Sequence, residues 1–221
     1  MLTNKIQYIL QLNNQFLDKL NTISLIHEDL SPDEIESISD ILNKFQYKDE
    51  TFLKQNMILV DLNCWLGTTS LLLNELHGEG DGRIYAIDTF ERGYSKYVNI
   101  KNVCIDNIKN VGASETIQII QNSLTKASQA FKDDSIDVLF ININDYEELK
   151  QNLKVWQSKV KCDGIILGRF CETLDIKGIE NIDPYIESPF KLHLGVIKAI
   201  KEKFEHLFYI EKGNIWYTYN A

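Results

Sequence analysis

Five short apolar runs, each followed by a helical stretch, constrain this chain more than any other feature. They cover 57–62, 83–88, 116–120, 136–141 and 164–168. In Ile136-Asp137-Val138-Leu139-Phe140-Ile141 the apolar residues follow one another instead of alternating with polar ones. A strand with one wet face alternates, whereas a strand covered on both faces of a parallel sheet does not. Between the runs, apolar recurrence predicts helices near 68–77, 95–110, 124–131 and 145–159. Strand and helix in alternation give a doubly wound α/β layer with right-handed crossovers.

Both ends depart from that rhythm. Residues 170–190 carry Pro184 and Pro189 and little periodicity, which predicts a long loop or lid. A helix over 192–204 follows, and then apolar runs 207–210 and 214–219 flank Lys212-Gly213. Strands joined so tightly are antiparallel, since parallel neighbours need a long crossover. The fold class is therefore α/β, a mostly parallel seven-stranded sheet closing in an antiparallel hairpin. Ahead of it, Ile6, Ile9, Leu10, Leu17 and Leu20 recur at helical spacing over 4–20. Ser31-Pro32-Asp33-Glu34 is a helix start, with Ser31 as cap, Pro32 in the first turn and Glu34 as the capping-box carboxylate. Ile35, Ile38, Ile41, Leu42 and Phe45 then form a buried stripe. The chain divides into an N-terminal helical cap over 1–52 and an α/β domain over 53–221.

Charge excludes some partners. A net charge of -9 and a pI near 5.0 argue against a large nucleic-acid or anionic-membrane surface. Cys64, Cys104, Cys162 and Cys171 form no Cys-x-x-Cys pair, so free thiols in a reducing cytoplasm are expected. No apolar run reaches 18 residues, and no basic-then-apolar leader opens the chain. The expected partner is a small-molecule substrate. The N-terminal helices suit packing on a second subunit, as a homo-oligomer, as well as packing on their own sheet.

Chemistry concentrates after the first strand. Met57-Ile58-Leu59-Val60-Asp61-Leu62-Asn63-Cys64-Trp65-Leu66-Gly67-Thr68-Thr69-Ser70 reads as strand, tight loop and helix start; Arg83-Ile84-Tyr85-Ala86-Ile87-Asp88 is a strand ending on a carboxylate. Helix-start amides and an acid then share one crevice, which suits a nucleoside-bearing cofactor. Asp88 stands 21 positions after Gly67, the length of one helix and one strand, so it is placed to accept from ribose hydroxyls; capping the next turn is its bland alternative.

Asp61 through Gly67, followed by Thr68-Thr69-Ser70, together with Arg83–Asp88, resembles the class I S-adenosylmethionine-dependent methyltransferases. The nearer likeness is to a bacterial branch of small, often metal-dependent O-methyltransferases. Ser135–Ile141 with Tyr146-Glu147 and Trp156 is similar to that branch's fourth strand and helix, and His193–Ala199 to the opening of its last helix. The resemblance implies a Rossmann-like methyltransferase fold and S-adenosylmethionine as cofactor. It implies binding by Asp61, Asn63, Gly67, Thr68 and Thr69, by Asp88, and by Asn122 and Ser123 near the adenine; Ser123 is equally a helix cap. Asn63 stands where the branch has its first loop glycine, and Asn is the replacement that best tolerates a left-handed backbone.

Metal ligands are expected to be absent. Asn142 stands where the branch has an Asp, and Arg169-Phe170 where it has a His-Asp pair, and a hard cation wants carboxylate oxygens. Catalytic candidates are Asn142 and Asp145 at the mouth of the fourth strand, with Asp145 also a helix cap, and His193 as a general base. Arg169 is either an anion-binding fork or a surface ion pair. The reading is metal-independent methyl transfer to a small-molecule hydroxyl or amine. The alternative is a catalytically inactive methyltransferase-like binding or partner module. A nicotinamide dehydrogenase is disfavoured, because the loop lacks Gly-x-Gly-x-x-Gly.

Overall fold

The computed structural model describes residues 30–46, 56–77, 82–91, 99–173, 178–186, 188 and 192–221. The predicted helix over 4–20 lies outside these residues, as do parts of the predicted 170–190 loop and the boundary near residue 52.

Seven strands form one sheet: β1 (Ile58–Leu62), β2 (Arg83–Asp88), β3 (Ile117–Gln121), β4 (Ile136–Ile141), β5 (Val160–Gly168), β6 (Tyr209–Glu211) and β7 (Ile215–Tyr219). Their order across the sheet is β3-β2-β1-β4-β5-β7-β6. The first five are parallel neighbours, while β7 runs antiparallel between β5 and β6. The chain therefore starts in the middle, winds outward to β3, and returns through β4 to the other edge. That reversal between β1 and β4 opens a crevice at the carboxyl ends of the strands.

The α-helices among the described residues are α1 (Pro32–Gln46), α2 (Thr68–His77), α3 (Ile100–Asn110), the single turn α4 (Leu124–Ala127), α5 (Tyr146–Trp156) and α6 (Leu194–Phe204). Side chains alternate across a strand, so each central strand feeds two cores. Leu59, Val138, Phe140, Ile165 and Leu167 pack with α1, α2 and α3; Val60, Leu62, Leu139, Ile141 and Ile166 pack with α4, α5 and α6. All six residues of β4 are buried, which is why its sequence carries no alternation.

Local chemistry starts the helices where expected. Glu34 N–H donates to Ser31 Oγ at 3.3 Å and Ser31 N–H to Glu34 Oε2 at 2.7 Å, a reciprocal capping box. Ile35, Ile38, Ile41, Leu42 and Phe45 are all buried and share the core of β1 and α2. Asn99, Ser123 and Asp145 each accept from a backbone N–H three residues on, starting α3, α4 and α5.

Some boundaries differ from the sequence reading. The helix expected over 124–131 is four α-helical residues followed by a 3-10 turn, Ser128–Ala130. The third strand lies one residue later than expected. The fifth begins at Val160 because it continues past a register shift against β4. The sixth is only Tyr209–Glu211, with Leu207 exposed ahead of it.

Candidate active site

A partly open cavity of about 220 Å³ lies at the carboxyl ends of the central strands, lined by Asn63, Trp65, Asp88, Phe90, Asn142, Asn144, Arg169 and Phe170. Each residue follows a strand: two after β1, Asp88 and Phe90 at β2, two after β4, two after β5. The topology thus gathers at one point residues that lie more than a hundred positions apart.

The backbone around it is unusual. Nine non-glycine residues among those described have positive φ, and four of them line the cavity: Asn63 (66°), Trp65 (48°), Phe90 (56°) and Phe170 (70°). For bulky aromatic residues this region costs roughly 1–3 kcal/mol each, and such strain clusters at functional sites. A chain selected for stability alone has no reason to hold three aromatics there.

Asp88 sits at the centre of this strain. Its Oδ2 accepts Trp65 N–H at 2.9 Å and its Oδ1 accepts Phe90 N–H at 2.6 Å. The carboxylate is nearly fully buried, and two backbone donors compensate its charge. Each oxygen has a second lone pair, so the group can still accept from a pair of vicinal hydroxyls. It also fixes both aromatic neighbours by their backbones.

Asn63 and Asn142 form a reciprocal clasp between the ends of β1 and β4. Asn63 Nδ2 donates to the Asn142 carbonyl at 2.7 Å, and Asn142 Nδ2 to the Asn63 carbonyl at 3.2 Å. The side chain at the expected glycine position therefore keeps the left-handed backbone and adds a bond across the sheet.

Arg169 closes the other side. Its Nε donates to Glu34 Oε1 at 2.7 Å, its Nη1 reaches Asn142 Oδ1 at 3.4 Å, and its guanidinium lies 5.0 Å from the Phe170 ring centroid. The Arg169 and Glu34 side chains are only 10% and 11% exposed, so the alternative of a surface ion pair is corrected to a buried one. Below it, Trp216 Nε1 donates to the Arg169 carbonyl at 3.2 Å. A Cβ on Gly168 would lie 2.5 Å from the Ile141 carbonyl and 2.8 Å from the Trp216 ring, so only glycine lets the strand end there.

The remaining sequence candidates sit around the cavity without lining it. Asp61 is fully buried and its Oδ2 accepts from Ser70 Oγ at 2.6 Å, bracing β1 against α2. Gly67 has φ 86°, and the space its missing Cβ leaves faces Cys104 Sγ and Ile108. Thr68 and Thr69 are buried at the start of α2, and Thr68 Oγ1 has no hydrogen-bond partner among the described residues. Asn122 is exposed at the end of β3; its N–H donates to the Asp88 carbonyl at 3.1 Å and its Oδ1 accepts from Ser123 N–H. Ser123 and Asp145 cap helices.

His193, at the start of α6, is held by Glu172: Nδ1 lies 2.5 Å from Oε1, and its N–H donates to Oε2 at 3.0 Å. Its ring packs on Phe170 with centroids 4.8 Å apart. Burial pushes the nearby Cys171 thiol up to about 12, and burial with Cys104 alongside raises Cys64, so neither is a nucleophile. Glu34, Glu172 and Phe90 were missed as site residues. For Glu34 the only sequence signal was its capping-box position.

The donor set does not suit a divalent cation. Asn142, Arg169 and Phe170 offer one neutral oxygen, a fixed positive charge and a ring. Among the described residues no three His, Cys, Asp or Glu side chains gather as a metal site.

A methyltransferase-domain family model matches residues 64–168, from the loop after β1 to the end of β5. Those residues form a methyltransferase domain, which supports a class I S-adenosylmethionine-dependent methyltransferase. Solved structures share the fold of this methyltransferase domain. The S-adenosylhomocysteine-bound Podospora anserina methyltransferase PaMTH1 superposes with a TM-score of 0.61 at 11% identity, covering 93% of this chain and 88% of that one. The O-methyltransferase NovP gives 0.60 at 15% identity, covering 86% and 81%. Cofactor-bound Rv0187 from MTB gives 0.60 at 10% identity, covering 97% and 88%. No curated protein matches the chain. No described helix is long and apolar enough to cross a membrane.

Proposed function

We propose that the chain is an S-adenosylmethionine-dependent methyltransferase that acts without a metal on a small-molecule acceptor, a hydroxyl first and an amine second. The observation that carries this reading is Asp88, a buried carboxylate fixed in a strained, aromatic-walled cavity at the switch point of the sheet. The bound cofactor supplies an electrophilic methyl group, for which alignment does much of the work.

The chain's residues fit an adenosyl group. Asp88 has lone pairs for ribose hydroxyls, and Trp65 and Phe90 offer apolar faces beside it. Asn122 stands at the next strand end, and the buried Thr68 hydroxyl sits unpartnered at the helix start. Asp61 and Gly67 act from behind, holding the loop and α2. A cavity of about 220 Å³ is below the roughly 300–1,000 Å³ of most ligand pockets, so it takes a nucleoside-sized part and leaves the rest toward its open side. On the acceptor side, Asn142 and Asn144 orient polar groups. Glu172 holds the His193 ring through Nδ1, which leaves Nε2 as the basic nitrogen.

The second reading, an inactive module of the same fold, is favoured by the Asn63–Asn142 clasp, which narrows the cavity where a loop glycine would widen it. Calorimetric titration with S-adenosylhomocysteine separates the two. At a hundred times Kd a ligand stabilises by about 2.7 kcal/mol, which is about 5–11 °C in Tm for a chain of this size. Neither heat nor a Tm shift at millimolar ligand rejects the transferase reading.

A further inference from the structure

Asn63, Asn142 and Arg169 line the cavity with backbones that the sheet already fixes. Asn63 N–H donates to the Ile87 carbonyl at 2.8 Å, Asn142 N–H to the Leu62 carbonyl at 3.0 Å and Arg169 N–H to the Ile141 carbonyl at 3.3 Å. What the sheet leaves open is the orientation of the two carboxamides. An amide turned end for end keeps its shape and exchanges donor for acceptor, so its neighbours decide what it offers. Asn142 has a deciding neighbour. A guanidinium donates and never accepts, so Arg169 Nη1, 3.4 Å away, holds Asn142 Oδ1 toward itself and leaves Nδ2 for the Asn63 carbonyl. Asn63 Nδ2 answers on the Asn142 carbonyl, and the contacts thus run from Arg169 into the loop after β1.

We infer that Glu34, which does not line the cavity, is a positioning residue for it, acting through Arg169 and Asn142 on the Asn63 loop. The Glu34 carboxylate is fixed at both oxygens: Oε1 accepts from Arg169 Nε at 2.7 Å and Oε2 from the Ser31 amide at 2.7 Å. From the other side the β6–β7 turn presses on its backbone, where a Cβ on Gly213 would lie 2.6 Å from the Glu34 nitrogen. The capping box therefore sets where the carboxylate stands. The carboxylate sets the plane of the guanidinium, and that plane aims Nη1 at Asn142. Glu34, Arg169 and Asn142 are all buried, so water is a poor substitute for any of these links. Arg169 meets no ligand in this scheme; its role is to turn an amide. The effect on a bound cofactor rests on the transferase reading above, whereas the effect on the two amides does not.

The whole protein, isotope-labelled for amide NMR, gives a readout without any ligand. The side-chain amide signals of Asn63 and Asn142, assigned by their loss in Asn63→Gly and Asn142→Ser, report the clasp. Calorimetric titration with S-adenosylhomocysteine, well below the Tm of each variant, reports the cavity. Glu34→Gln is the test, and Leu153→Ala, a truncation of a buried α5 side chain, is the control for lost stability alone. In Glu34→Gln both amide pairs should shift and affinity should fall about tenfold, as for one lost hydrogen bond. Leu153→Ala should lower Tm and change neither readout. Arg169→Lys keeps a cation beside Glu34 but has no planar fork to face Asn142 as well, so it should also move the amides. It decides if Glu34→Gln does not fold. The inference is overturned if the amide signals of the folded variant keep their wild-type positions, or if its affinity stays within about twofold. Equal changes in Leu153→Ala overturn it too. If the wild type itself binds no S-adenosylhomocysteine, the transferase reading falls, and the amide signals alone decide on Glu34.

Discussion

Replacing one member of the Arg169–Glu34 pair should destabilise the protein far more than replacing both. Glu34→Gln is the cleanest single change, because glutamine keeps an oxygen for the Ser31 amide and removes only the charge. It leaves a guanidinium in a site where its side chain is 10% exposed. An uncompensated buried charge costs about 3–5 kcal/mol, whereas an exposed pair contributes less than about 1 kcal/mol. Arg169→Met should cost a similar amount by stranding the Glu34 carboxylate. The double variant should recover part of the loss, with a coupling of about 2–3 kcal/mol. For a chain of 221 residues the single changes correspond to a Tm decrease of roughly 6–20 °C. Guanidinium chloride unfolding of the four proteins, with slopes held comparable, gives the cycle. Single changes costing under half a kcal/mol, or a double variant whose loss is the plain sum, refute the claim that this pair is electrostatically buried.

Two further outcomes are expected. His77 is buried, and burial lowers its pKa from the ordinary 6.5 while Asp137 partly opposes the shift. Above 6.5 both folded and unfolded chains carry it neutral; below, the unfolded chain takes up the proton first, so stability falls as pH drops from 6.5 toward the depressed folded value. His77→Gln should flatten that stretch of the urea-midpoint profile, and unchanged slopes refute it. At Asn63, with φ 66°, stability should rank wild type above Asn63→Gly above Asn63→Ala, since alanine loses the 2.7 Å bond to Asn142 and also bears about 1–2 kcal/mol of left-handed strain. Thermal melts give the order, and alanine equal to glycine contradicts it.

The parallel core was legible because burial on both faces leaves a direct trace in sequence. β4 shows only buried positions and reads as an unbroken run. The trace fades where one face is wet or the pairing is irregular. Val160–Asp163 belongs to β5 through a shifted register, yet Lys161, Cys162 and Asp163 carry no strand pattern. Tyr209–Glu211 is a short edge strand, held on one side only, so its start at Leu207 was overread.

The site divides along the same physical line. Asp88 and the loop from Asn63 were readable because their relation is local, one helix and one strand apart. Glu34 was not, because its partner Arg169 lies 135 positions away and nothing periodic links them. Its capping-box role hid the second use: one oxygen caps α1 and the other neutralises the guanidinium. Asn63 keeps the backbone that a glycine would supply there. The position demands a left-handed backbone, which glycine and asparagine both supply, and only asparagine can also reach Asn142. Asn142 in turn touches Arg169, so the three departures from the metal-binding pattern meet around one guanidinium.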